Sequence, residues 1–235
     1  MIRSSCILFL FALLIKSCAP VYMPTAVNAP LLSKKNEFHG AAYMRNFTGW
    51  DLQGAYSPMD HVGMMVNGSK SRTEFLFAPE LGQSEQIVLE GGVGFFTSLD
   101  QQKMSNGELF FGYGRGRTRS KSDFMESIVA TDTRTTGYFD RYFVQASIGV
   151  PGGHSGPSFS CRVVKVKYYK FKSEFSVSHA SPNAYFAEPA LTLKFGPKVF
   201  KFVAQALYAI RISGNKDIVY QKLQITGGAE IQLGH

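Results

Sequence analysis

The last strand-length stretch of the chain constrains the fold most. Leu223, Ile225, Gly227, Ala229, Ile231 and Leu233 fall on one side of a period-two pattern, and Lys222, Gln224, Thr226, Gly228, Glu230 and Gln232 on the other. Only an extended strand sends alternate side chains to opposite faces. The same alternation recurs upstream. Phe200, Phe202, Ala204, Ala206, Tyr208 and Ile210 oppose Lys201, Gln205 and Arg211, and Tyr185, Ala187, Leu191, Leu193 and Phe195 oppose Glu188, Thr192 and Lys194. Further candidates lie at 37–45, 49–56, 61–70, 86–97, 107–117, 138–150 and 158–170. The count predicts about ten strands in an up-and-down meander. Short turns near 57–60, 98–106, 151–157 and 196–197 exchange with longer polar stretches at 71–84, 119–137, 171–183 and 213–219.

Which face is the core decides the fold class. A soluble sandwich or a lipocalin-like barrel hides its apolar face and exposes its charges, usually on strands of five or six residues. Here the strands are long and the second face carries ions of both signs, which can neutralise one another in an enclosed space. We read Glu90, Arg141, Lys165, Lys167, Glu188, Lys194, Lys201 and Glu230 as interior charges of an all-β, antiparallel transmembrane barrel with lipid outside. Trp50, Tyr56, Tyr113, Tyr142, Tyr168, Phe195 and Phe200 stand near strand ends, where interfacial girdles are expected. With 45% hydrophobic and 18% charged residues the chain is too apolar for disorder, and a mean hydropathy of −0.05 excludes a polytopic helical membrane protein.

The N-terminus reads as an export signal. Arg3 precedes an apolar run over 7–15, too short to span a bilayer as a helix, and Ser17-Cys18 follows. This divides the chain into a lipoprotein-type signal at 1–17, a periplasmic linker at 18–36 beginning with a lipidated Cys18, and a barrel at 37–235. Cys6 leaves with the signal and Cys161 remains, so no disulfide framework forms. Removing Arg3 and Lys16 takes the net charge from +8 to +6. A basic exported protein suits phosphate-rich lipid heads, and no nucleic-acid-binding signature accompanies the charge.

The mature chain resembles small bacterial outer-membrane β-barrel proteins, and with Cys18 their lipoprotein subset. The resemblance runs through Pro20-Val21-Tyr22, Asn28-Ala29-Pro30, the stretch 37–42, Leu52-Gln53-Gly54-Ala55-Tyr56 and the stretch 62–68. It implies location in the bacterial outer membrane and handling by the barrel-assembly and lipoprotein-sorting machineries. The terminal His235 departs from the aromatic end that such barrels often carry.

Chemistry is sparse. No metal motif, nucleotide loop, nucleophile elbow or dinucleotide fingerprint occurs, and no cofactor is expected. Gly112-Tyr113-Gly114-Arg115-Gly116 lies in a strand pattern without the helix a phosphate loop needs, and its glycine row leaves room inside a curved sheet. His154 beside Ser155 sits in a turn, and Asp132, Asp140 and His179 have no spacing that marks a catalytic set. Arg115, Arg117, Arg119 and Lys121 lead towards the longest expected loop and suit lipopolysaccharide phosphates. The expected role is non-enzymatic, either envelope-structural or binding through surface loops. A narrow passive channel and a soluble, lipid-anchored carrier are the alternatives, and about ten strands filled with polar side chains leave little lumen for conduction.

Overall fold

The computed structural model describes residues 20–45, 48–74, 82–102, 104–124, 131–151, 155–173, 181–216 and 218–234. Its strands are β1 (Phe38–Arg45), β2 (Gly49–Met59), β3 (Val62–Glu74), β4 (Gly82–Ser98), β5 (Asn106–Phe124), β6 (Thr131–Gly149), β7 (Gly156–Ser173), β8 (Asn183–Phe195), β9 (Phe200–Tyr208), β10 (Ile210–Gly214) and β11 (Leu223–Leu233). Each pairs antiparallel with its neighbour from β1 to β8; β9 bridges β8 and β11, and β11 returns to β1 from Phe38↔Leu233 to Arg45↔Thr226. The sheet therefore closes. β9 and β10 form one stave interrupted at Ala209, whose N–H donates to Lys222 O at 2.7 Å, so the barrel has ten staves. Closure through β8, β9, β11 and β1 leaves no open seam along the paired span of the sheet, as a sheet in hydrocarbon requires.

The first and last strands begin and end at the rim that carries the β2–β3, β4–β5, β6–β7 and β8–β9 turns, here called the turn rim. The β1–β2, β3–β4, β5–β6, β7–β8 and β10–β11 connections lie at the other end, the loop rim. Pairing runs on to Gly82↔Ser122 and Phe124↔Thr131, so β4–β6 rise as a tall flank at the loop rim. The loops expected over 71–84, 119–137 and 171–183 are correspondingly shorter, because strand pairing consumes both ends of each. In β5 the inward Gly112 and Gly116 have no side chain, and the rings of Phe143 and Phe139 fill their places. The strand curves past its neighbour there.

One expectation is overturned at the start of the chain. Residues 20–32 do not hang below the barrel as a linker but run extended through its lumen, buried throughout. At the loop rim Val21 N and Tyr22 N donate to Val219 O, and Gln221 N donates to Tyr22 O. At the turn rim Ser33 N and Oγ donate to Glu37 Oε2 at 2.6 and 2.8 Å, and β1 begins. The physical reason is the polar wall. Its inward amides and ions need partners, and an extended peptide supplies a donor and an acceptor at almost every residue.

Candidate functional site

The lumen is built around this segment. Gln86 grips Met23 with both ends of its amide, accepting from Met23 N at 3.0 Å and donating to Met23 O at 2.5 Å. Gln205 does the same at Val27, at 2.8 and 2.9 Å. These side chains imitate a neighbouring strand. Gln53 donates to Ala26 O, Gln145 to Asn28 O, Lys194 to Ala29 O and Asn106 to Leu32 O, while Glu108 accepts from Leu32 N at 2.7 Å. Pro24 and Pro30 have no N–H to satisfy.

Midway, two arginines and two glutamates cross the lumen with no net charge. Arg141 meets Glu90 at 2.5 Å and Glu188 at 3.1 Å; Arg162 meets Glu188 at 2.8 Å and Glu90 at 3.3 Å, all buried. The segment joins them: Thr25 Oγ1 accepts from Arg141 at 2.8 Å, Thr25 O accepts from Arg162 at 2.8 Å, and Tyr22 OH donates to Glu188 at 2.6 Å. Towards the loop rim the Tyr22 ring stacks on Phe186 at 4.6 Å and meets Phe139 edge-on, with Val164, Val166 and Tyr168 packed around it. At the turn rim Lys194 pairs with Glu230 at 2.7 Å, His39 lies between Glu230 and Glu37, and Gln232 donates to Glu37 at 2.7 Å and accepts from Lys201 at 2.9 Å. Glu37 precedes β1 at the rim. Burial would raise its carboxyl, but the hydrogen bonds from His39 and Ser33 and the His39 charge outweigh that and hold it at about 2.

The outer surface is the reverse. Leu89, Ile225, Phe95, Val93, Val66 and Phe202 stand half or more exposed in a belt around the barrel, and Trp50, Tyr56, Tyr113, Tyr142, Phe195 and Phe200 also face outward. Water would not tolerate so continuous an apolar band, and a bilayer accommodates it. This is a barrel that spans a membrane.

Of the expected interior charges, Glu90, Arg141 and Glu188 meet at mid-lumen, and Lys194, Lys201 and Glu230 at the turn rim. Lys165 and Lys167 are corrections: they point outward, with Lys165 5.4 Å from the Tyr185 ring centre, and Val164, Val166 and Tyr168 are the inward residues of β7. Packing around Tyr22 reverses the usual faces there, which also takes Tyr168 out of the girdle. Arg115, Arg117, Arg119 and Lys121 share the outward side of β5 above Tyr113. Arg115 donates to Tyr113 OH at 2.7 Å and to Asp140 at 3.1 Å. Arg72, Glu85, Arg119 and Lys121 help line a groove of about 310 Å³ on the tall flank. Ser155 exchanges hydrogen bonds with Gly196 across the turns. Cys18, His154, His179 and the Asp132 side chain lie outside the described residues.

Sequence reasoning missed Tyr22, Thr25, Gln86, Arg162 and Gln205, because it weighed charge and not amide supply. The signal was present in an uncharged stretch over 20–33 with three prolines, set beside a wall rich in inward Gln and Asn.

No protein-family model and no curated protein matches this chain. Among solved structures it is similar to the translocator domain of the autotransporter NalP from Neisseria meningitidis, at 11% identity over 86% of this chain and 87% of that one, with a TM-score of 0.48. The barrel's own pairing and exposure carry its description.

Proposed function

We propose that this protein is a sealed, non-enzymatic envelope protein that acts through its outer surface, binding phosphorylated glycolipid of the outer leaflet with Arg115, Arg117, Arg119 and Lys121. The observation that carries this reading is the outward basic row on β5, which continues directly from the aromatic Tyr113 at the level where a headgroup phosphate meets the apolar belt. Lys165 and Lys167, on β7 of the same flank, add to its positive field. The filled lumen argues against the narrow-channel alternative, and the outward apolar belt against a soluble carrier. Asp140 is engaged by Arg115 and Tyr113, which favours a structural role for it over a catalytic one.

In this reading residues 1–17 are a signal removed on export, and Cys18 carries the acyl chains of a lipoprotein. Barrel-assembly and lipoprotein-sorting machineries are the partners that such maturation needs. Supporting it are the Ser17-Cys18 junction and its place at the end of the apolar run. Incorporation of labelled palmitate that persists in Cys18→Ser would remove the lipid from the account.

The glycolipid claim is tested by purifying the wild type and an Arg117→Glu/Arg119→Glu variant from outer membranes. Lipid A phosphate retained per barrel is then measured through a salt wash. Retention several-fold lower in the variant is expected, since charge reversal replaces attraction with repulsion. Equal retention in both would overturn it.

A further inference from the structure

The direction in which the lumen segment runs has a consequence for the whole chain. Residues 33–36 stand at the turn rim, where β1 begins, and residues 21–22 at the loop rim, hydrogen-bonded to the β10–β11 connection at Val219 and Gln221. Between them the segment passes the turn-rim ions, the mid-lumen arginines and the aromatic cluster in that order. Pro20, the first described residue, is buried at the loop rim. In outer-membrane barrels the turn rim is periplasmic and the loop rim faces outward.

We propose that the lumen is a conduit for one client, the chain's own N-terminus, so that whatever precedes Pro20 is delivered to the external side of the membrane. The inference rests on the membrane reading above but not on glycolipid binding. An acyl group on Cys18 would then enter the outer leaflet beside the basic row, and not the inner leaflet that a periplasmic linker would serve. The built features support a fixed passage. The paired amides of Gln86 and Gln205 hold the backbone of Met23 and Val27 at both edges, and Tyr22 is clamped between Phe186 and the Glu188 carboxylate.

The test places a short epitope between residues 19 and 20 of the full-length chain. A second version carries it in the β5–β6 connection, over 125–130, and a third after His235. All three are probed with antibody on intact and on lysed cells, with a heat-dependent gel shift verifying that each barrel folds. The N-terminal and 125–130 epitopes are expected to be accessible on intact cells, and the C-terminal one only after lysis. Accessibility at 125–130 with an N-terminal epitope protected until lysis would overturn the conduit while leaving the membrane barrel intact. Accessibility confined to the C-terminal epitope would mean that the barrel is inverted, and would overturn the underlying orientation as well.

Discussion

At the scale of single residues, burial separates ions that matter for folding from ions that decorate. Glu188 serves Arg141, Arg162 and Tyr22 at once with no solvent to replace it. Glu188→Gln leaves two buried guanidiniums short of a counter-charge and is expected to destabilise the folded barrel by about 3–5 kcal/mol, measured by urea unfolding in vesicles. Glu85→Gln, which breaks a half-exposed pair with Lys70 at 3.5 Å, is expected to change little, within about 1 kcal/mol. Equal effects would mean that the mid-lumen network is hydrated. Glu37 supplies a pH signature. A carboxyl held at about 2, below its ordinary 4.5, contributes stability that is complete above the ordinary value and is lost as pH falls through the lower one. The wild-type advantage over Glu37→Gln should therefore be present at pH 5 and shrink from about pH 4.5 to 2. An advantage already gone at pH 6 would contradict the turn-rim clasp.

Among the elements, β5 and the lumen segment show what a pattern of residues reveals and what it conceals. The alternation of β4, β6, β8, β9 and β11 gave the correct faces because the buried side of each carries glutamines or ions, while the exposed side is predominantly apolar. β7 did not, since Val164, Val166 and Tyr168 serve an internal aromatic cluster while Lys165 and Lys167 sit above the apolar belt; two apolar environments compete for one strand. The glycines of β5 make space for rings from β6. Gly112→Ala drives a methyl group into Phe143 and is expected to cost about 1–3 kcal/mol by the same urea assay. Gly227→Ala, with nothing within 4 Å of the added carbon, should be tolerated. The lumen segment escaped notice for a different reason. An extended strand that pairs with side chains, and not with other strands, has no periodicity of its own to read.

For the whole molecule, strand count, closure and the membrane-facing surface were legible in the sequence, whereas the sealing of the lumen was a tertiary fact. It arises from complementarity between an uncharged peptide and a wall of inward Gln, Asn, Arg and Glu, which no local window contains. That complementarity makes the barrel a folded core turned inside out, with polar groups satisfied within and apolar groups satisfied by lipid. The most direct test is ion conductance in planar bilayers for the full-length barrel and for a variant lacking residues 20–32, each verified as folded by its heat-dependent gel mobility. The full-length barrel should be silent and the deletion variant should conduct steadily. Steady conductance by the full-length barrel, or silence in a folded deletion variant, would contradict a lumen closed by its own N-terminal segment.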